Sequence, residues 1–179
     1  YSGCEAKMNV KFINPFVEAA SEVIQIETGV NLQRGELGLE KVPYLTDDIT
    51  VILALVGMVN GNVLYSLSFP TAIALASRML GEKLDSFDNL AQSGIAELGN
   101  VITGRASVKL SAAGFESTIS PPTLVVGKGI MISTLDRPRL VVPFQSACGP
   151  VVIHLALREG SSTFVSAAHI PVPNQPDIR

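Results

Sequence analysis

Residues 93–104 read SGIAELGNVITG, and the polar residues of this stretch recur at spacings of four and three, which predicts an amphipathic helix. At about 100° per residue, one stripe of the helix gathers four small or polar residues within roughly 60° of one another: Ser93, Glu97, Asn100 and Gly104. The opposite side carries an apolar set wide enough to pack on a sheet: Ala91, Ile95, Leu98, Ile102 and Ala106. The polar stripe is therefore expected to point outward, where a carboxylate and a carboxamide one turn apart can reach a partner.

Spacing alone does not separate a functional stripe from ordinary surface. Glu and Asn on an outward helix face are most often solvated side chains without a further role. A serine on a helix surface likewise needs no functional explanation. The order of residues beyond the helix adds a second signal, because a proline pair, Pro121 and Pro122, follows the polar stripe.

This run of Ser, three residues, Glu, two residues, Asn and a later proline resembles the signature of the CheC/CheX chemotaxis phosphatases. Two flanking stretches resemble the same family: MNVKFINPFVEAASEVIQ (8–25) its amino-terminal helix, and NGNVLYSLSFPTAIALASRMLG (60–81) its central hairpin and following helix. We interpret residues 8–158 as one CheX-like phosphatase domain. Residues 1–7 are interpreted as a tag or an extension ahead of a natural start, and residues 159–179 as a C-terminal extension with an extended, partly mobile end.

The resemblance implies an enzyme that hydrolyses the phosphoaspartate of a phosphorylated CheY-like response regulator in chemotaxis signalling. It implies that Asn100 positions the attacking water and that Glu97 docks the regulator by pairing with its active-site lysine. Ser93 and Gly104 are expected at the edge of this contact. Pro121 or Pro122 completes the motif, and either would stiffen the segment after the helix. No cofactor of its own is implied, and Mg²⁺ is expected in the partner regulator.

A second copy of the spacing lies in the first predicted helix, at Asn14, Glu18 and Ser21. Ser21 stands where the amide is expected, and its shorter hydroxyl does not hold a water in the same way, which is typical of a lapsed copy. A plainer interpretation is that Asn14 with Pro15 starts the helix and Glu18 is a first-turn acid. Both interpretations leave one working site, as in the CheX type rather than the two-site CheC type.

Composition predicts a single domain, since no Ser- or Gly-rich linker divides the 179 residues. Only 16% of residues are charged and the mean hydropathy is +0.37, which suggests that a second subunit covers part of the surface in a homodimer. The longest apolar run, 51–59, is too short for a membrane helix and predicts a buried strand. No signal peptide opens the chain, so a cytoplasmic location is expected.

Other chemistries find little support in the sequence. The 13 basic and 16 acidic residues form no Lys/Arg cluster with interleaved aromatics, so no nucleic acid partner is expected. Two cysteines, Cys4 and Cys148, are too few for a disulfide framework, and no Cys or His pair has metal-ligand spacing. His154 and His169 stand apart from any nucleophile motif and are interpreted as structural or solvated.

Periodicity and turn residues predict an α+β fold in which long helices pack on an antiparallel sheet, as in the CheC/CheX family. Helices are predicted at about 15–28, at 70–80, and from caps among Asp85, Ser86 and Asp88 to about 112. Strands are predicted near 38–42, 50–58, 63–68, 117–119, 124–126, 130–134, 140–145 and 151–156. Hairpin turns are predicted at 60–61 and at Gly127 to Gly129, the latter in preference to a phosphate loop. The resemblance implies that the sheet can extend across a dimer interface.

Two functions of other classes remain open at this point. A non-catalytic module that binds a response regulator or a flagellar switch component would use the same helix face, because relatives of this fold serve in the motor. A ligand-sensing domain would make the polar stripe a coincidence, and no residue indicates a ligand. Glu97 together with Asn100 favours hydrolysis, since a pure binder has no need of an amide that holds a water.

Overall fold

The computed structural model describes residues 10–134 and 137–160. In this part of the chain three α-helices cover one face of an antiparallel sheet: α1 (Ile13–Thr28), α2 (Phe69–Leu80) and α3 (Asn89–Ala112). A short 3-10 turn, Val10–Phe12, leads into α1. The predicted α+β class is confirmed, and each predicted helix is present within two residues of its expected ends.

The described residues form ten strands. They are β1 (Gln33–Arg34), β2 (Gly38–Glu40), β3 (Tyr44–Leu45), β4 (Ile49–Gly57), β5 (Val59–Leu67), β6 (Ser117–Ile119), β7 (Thr123–Val126), β8 (Met131–Ile132), β9 (Arg139–Gln145) and β10 (Val151–Glu159). The main sheet has the order β1-β9-β10-β5-β4-β6, with β2 also paired to β9 and β7 also paired to β4. Strands β3 and β8 form a separate two-stranded sheet, and all the pairings are antiparallel, as predicted.

The core lies between the helices and the main sheet. The predicted apolar face of α3 is confirmed, because Ala91, Ile95, Leu98, Ile102 and Ala106 are each no more than 5% exposed. Alternate residues of β4 and β5 join the same cluster, as expected for strands with one face on the helices. Burial of one large apolar side chain contributes about 1.5–3 kcal/mol, so this face fixes the rotation of α3 about its axis.

Capping residues define where the helices begin and end. Asp88 is the one of the three predicted caps that serves α3, since its Oδ1 accepts from the backbone N–H of Ala91 at 2.9 Å. Ser68 caps α2, and Gly81 ends that helix in the left-handed region, as the sequence indicates. The start of α3 is therefore set by a local side-chain interaction, and the polar stripe begins one turn later.

The predicted hairpin turn at Asn60 and Gly61 is wrong, because both residues lie inside β5. The chain turns earlier, at Gly57 and Met58, and Gly61 pairs with both β4 and β10. Gly61 has φ +138°, and a Cβ there would lie 2.0 Å from the carbonyl oxygen of Ala156. This glycine permits close approach of a neighbouring strand rather than a turn.

The predicted hairpin at Gly127 and Gly129 is also wrong, because the strands on either side of it do not pair with each other. Strand β7 pairs with β4 and β8 pairs with β3. Between them the N–H of Gly127 donates to the carbonyl of Asp48 at 2.9 Å, and that of Gly129 to the carbonyl of Thr46 at 2.8 Å. The segment thus continues alongside residues 46–48 and links the two sheets.

The apolar run at 51–59 forms most of β4, which is buried along its helix-facing side, so the predicted buried strand is confirmed. Of the helices in the described ranges, none has the length and apolar character needed to cross a membrane. The proposed C-terminal extension begins too early, because Glu159 is the last residue of β10. Residues 1–9 and 161–179, which include Cys4, His169, the proposed N-terminal extension and the rest of the C-terminal one, lie outside the described residues.

Candidate functional site

The predicted polar stripe lies on the solvent-facing side of α3. Ser93 and Glu97 are exposed, and Asn100 and Gly104 are half-buried. Because the opposite face of the helix is buried, the stripe has a fixed direction. The structure therefore brings the four residues of the sequence motif onto one accessible surface.

Glu97 and Asn100 have few interactions with the rest of the protein. In residues 10–134 and 137–160, the only side-chain hydrogen bond of either residue joins the two, with Asn100 Nδ2 lying 3.5 Å from Glu97 Oε2. This separation is at the outer limit of a hydrogen bond, so the contact is weak. The pair therefore offers a carboxylate, an amide oxygen and an amide N–H to a molecule that docks on α3.

Two successive hydrogen bonds hold the turn of α3 that carries Asn100, on the side of the helix that faces the sheet. Thr103 Oγ1 donates to the carbonyl oxygen of Gly99 at 2.8 Å, and the Tyr65 hydroxyl lies 2.7 Å from Thr103 Oγ1. Because Thr103 has a single hydroxyl hydrogen, which Gly99 receives, Tyr65 is the donor to Thr103. Burial raises the pKa of Tyr65, so this phenol stays protonated as the chain requires.

The matching stripe on α1 has a different environment. Glu18 and the neighbouring Glu22 both face Lys109 of α3, whose Nζ lies 3.3 Å from Glu18 Oε2 and 3.0 Å from Glu22 Oε1. Arg105 also pairs with Glu22, at 2.8 Å. The hydrogen bond from Lys109 lowers the pKa of Glu22, and the same bond raises the pKa of Lys109. The carboxylate of this second copy is thus held by a cation of its own chain.

The remaining motif residues lie beside the C-terminal half of α3. A Cβ at Gly104 would lie 3.8 Å from Ile119 Cδ1. Without a side chain, Gly104 leaves the backbone of α3 accessible next to β6. Pro121 is exposed and Pro122 half-buried, and both lie between β6 and β7. Before them, Ser120 Oγ accepts from a backbone N–H of β4 at 2.8 Å, which anchors the segment. The prolines end a strand that contacts the motif helix.

Sequence reasoning missed a buried polar cluster between the two sheets. Arg139, only 1% exposed, donates through Nε to His154 Nδ1 at 3.1 Å and forms an ion pair with Glu40. The ring of Tyr44 packs on that of His154 with centroids 4.5 Å apart. Burial, and then the charge of Arg139, lowers the pKa of His154 to about 4, so the imidazole is neutral. His154 alternates with core residues of β10 and therefore faces away from α3, in a structural position.

Metal binding by the chain itself gains no support from the side-chain arrangement. Within the described ranges no three His, Cys, Asp or Glu side chains come together as a metal site. Cys148 is a half-buried free thiol. The groups that α3 offers for chemistry are the carboxylate of Glu97 and the carboxamide of Asn100, which act through charge and hydrogen bonding.

Comparison with known proteins gives matches over the region that contains this stripe. Residues 49–145 match the family model described as Chemotaxis phosphatase CheX. A curated relative from Thermotoga maritima, named CheY-P phosphatase CheX, is 28% identical over 128 residues, which cover 71% of this chain and 83% of the relative.

Solved structures resemble the whole described fold. A CheC-like superfamily protein from Shewanella has a TM-score of 0.77 at 30% identity, covering 86% of this chain and 100% of its own. A structure of the CheX-CheY-BeF3-Mg complex from Borrelia burgdorferi has a TM-score of 0.73 at 30% identity, with 84% and 100% covered. The fold is thus that of a CheC-like protein. Since the family model spans more than half of the chain, the chain belongs to the CheX family of chemotaxis phosphatases.

Proposed function

We propose that this protein hydrolyses the phosphoaspartate of a CheY-like response regulator. The observation that carries the proposal is the placement of Glu97 and Asn100, which face solvent from a fixed helix and, among the described residues, share one weak hydrogen bond. Membership of the CheX family supports it, as does the relative named CheY-P phosphatase. A similar structure containing both CheX and CheY supports the choice of partner.

The proposed chemistry needs a positioned water more than a strong acid or base. A phosphoaspartate is an acyl phosphate, and attack of water on phosphorus breaks the bond to the carboxylate oxygen, releasing phosphate and regenerating aspartate. The oxygen of the Asn100 amide would accept from the water while its nitrogen donates to a phosphoryl oxygen, which aligns the two for in-line attack. Mg²⁺ held by acids of the regulator would take up developing charge.

Glu97 would set the angle at which Asn100 enters the regulator. A carboxylate one turn before the amide is placed to pair with a lysine of the regulator. Ser93 and Gly104 would border the contact, where a hydroxyl and a missing side chain let the partner approach the helix closely. The weak bond between Asn100 and Glu97 would be exchanged for these intermolecular bonds on docking.

The direct test of the proposal is the decay of a phosphorylated CheY-like regulator in the presence of Mg²⁺, with and without this protein at substoichiometric concentration. We expect decay to accelerate, with more than one regulator dephosphorylated per protein molecule. Unchanged decay, together with measurable binding, would contradict hydrolysis and indicate a module that only binds the regulator.

We also propose that the protein acts as a homodimer. Large apolar side chains are strongly exposed on the isolated chain and would be available to a second copy: Ile26, Val42, Leu45, Val56, Val108 and Met131. Light scattering of the purified protein is expected to give the mass of two chains. A monomer mass across the micromolar range would contradict the dimer.

A further inference from the structure

Gly99 lies directly before Asn100, on the side of α3 that packs closely on the sheet. An ideal Cβ at this position would be 2.9 Å from Val51 Cγ1 and 3.3 Å from Tyr65 Cδ2. Val51 is β-branched and fully buried, so its methyl group is held by a stiff χ1 angle, beside a small apolar cavity that Val51, Tyr65 and Gly99 line. A side chain at residue 99 would therefore move the helix away from the sheet.

The other two glycines of α3 differ from Gly99 in this respect. A Cβ at Gly94 meets nothing within 4 Å, and one at Gly104 makes only an ordinary contact with Ile119 at 3.8 Å. Glycine in a helix interior is less favourable than alanine by about 1 kcal/mol, so its presence calls for a compensating reason. At Gly99 that reason is the close seating of the helix.

The hydrogen-bonded chain below the helix reaches the same peptide unit. The carbonyl of Gly99 belongs to the peptide that joins Gly99 to Asn100, and it accepts from Thr103 Oγ1 at 2.8 Å. Thr103 in turn receives the bond from Tyr65 of β5 at 2.7 Å. The backbone entering Asn100 is thus fixed from the sheet side by both packing and hydrogen bonding.

We propose that Gly99 is a positioning residue for Asn100, whose missing side chain sets the depth at which α3 is seated on the sheet and hence the reach of the amide. This inference rests on the proposed function. Aligning a water for attack requires accuracy well below 1 Å, since a displacement of about 1 Å in a reacting geometry costs on the order of 10²-fold in rate. Docking through the long, exposed side chain of Glu97 tolerates a small shift of the helix.

The test compares Gly99→Ala with Gly94→Ala, a matched control in the same helix where the added methyl has room. Two quantities are measured with Mg²⁺ present: the affinity for a CheY-like regulator loaded with beryllofluoride, and the decay rate of the phosphorylated regulator. We expect Gly99→Ala to lose about tenfold in rate while its affinity stays within about twofold of the wild type. Gly94→Ala is expected to match the wild type in both.

A rescue variant separates positioning from loss of fold. Val51→Ala removes the methyl group that the new side chain would meet, so Val51→Ala/Gly99→Ala is expected to regain most of the lost rate, relative to Val51→Ala alone. Thermal melts of all variants verify that each is folded at the assay temperature. If Gly99→Ala alone unfolds, the double variant still gives the comparison, because it lacks the 2.9 Å approach to Val51 Cγ1 and keeps only the milder 3.3 Å approach to Tyr65 Cδ2.

Three results would overturn the inference alone: a wild-type rate in folded Gly99→Ala, a rate loss matched by an equal loss of affinity, or a rate loss that Val51→Ala does not rescue. Absence of any acceleration by the wild type would instead overturn the proposed function, and the inference with it. The two failures are therefore distinguishable within one set of assays.

Discussion

Helices α1 and α3 carry polar residues at the same four-and-three spacing, but their surroundings differ. On α3, the bond between Asn100 and Glu97 at 3.5 Å is the only side-chain hydrogen bond of either residue in the part of the chain that the structure describes. On α1, Glu18 lies 3.3 Å from Lys109, and a serine, Ser21, occupies the position of the amide. The comparison teaches that spacing puts groups on one face, whereas the neighbouring helix decides whether those groups are available to a partner.

The largest effect is expected from removing both functional groups of α3. Glu97→Ala/Asn100→Ala should return the decay of the phosphorylated regulator to that of the regulator alone, because neither docking nor water positioning remains. The matched control on α1, Asn14→Ala/Glu18→Ala, should keep the wild-type acceleration in the same assay. Equal losses in both double variants would break the distinction between the two helices.

Acidification tests whether loss of activity reflects the site or the fold. The pKa of His154, lowered to about 4, lies below its ordinary value near 6.5, so between these values the unfolded chain binds more protons. Stability should therefore fall as the pH decreases through this window, by about 2 kcal/mol between pH 7 and pH 5.

Denaturant unfolding at pH 7 and pH 5 measures this change in the free energy of unfolding. In His154→Gln the difference between the two pH values should become smaller. The hydrogen bond from Lys109 lowers the pKa of Glu22 from its ordinary value of 4.5, so this carboxylate stays ionised between pH 7 and pH 5. A stability change that survives in His154→Gln would assign the acid sensitivity to other groups.

Glu97→Ala is expected to have a smaller effect than the double variant. It should weaken binding to the beryllofluoride-loaded regulator by about tenfold, because docking removes the carboxylate from water. This loss is larger than an exposed ion pair would give, since such a pair contributes only about 0.2–1 kcal/mol. Isothermal titration measures the affinity, and Glu27→Ala, an exposed acid on α1, is the control. A loss below about threefold would mean that Glu97 stays solvated in the complex.

The smallest effect is expected from restoring the missing amide on α1. Ser21→Asn in an Asn100→Ala background should leave the decay rate at that of the background, because Glu18 remains bound to Lys109. The phosphorylated-regulator assay measures this directly. Recovered activity would show that the amide alone, without a free carboxylate, is sufficient for a site.

Local patterns in the sequence predicted the helices and the orientation of the stripe on α3. A period of 3.6 residues and caps such as Asp88 act within one element, so they can be recognised without the fold. The role of Gly61 was misread because a glycine at a turn and a glycine beneath a neighbouring strand look alike in the sequence. The contact that shows the difference comes from Ala156, far along the chain.

The interactions around the site that the sequence did not predict are long-range. The ion pair of Lys109 with Glu18 exists only because α1 and α3 lie side by side. The seating of Gly99 likewise depends on Val51 of β4, and burial of Arg139 depends on the small second sheet. Such contacts can be predicted only when the fold is known, whereas the residues that point outward from α3 can be predicted from the helical spacing of the sequence alone.

The most direct test of the central claim is the rate at which Asn100→Ala and Asn14→Ala dephosphorylate a CheY-like regulator in the presence of Mg²⁺. Both substitutions remove one amide side chain from a solvent-accessible position of a helix, and Asn14 lies at the position of the spacing that Ser93 occupies on α3. The account predicts that Asn100→Ala stays folded and loses on the order of 10²-fold in rate, while Asn14→Ala keeps the wild-type rate. An unchanged rate in Asn100→Ala would contradict it.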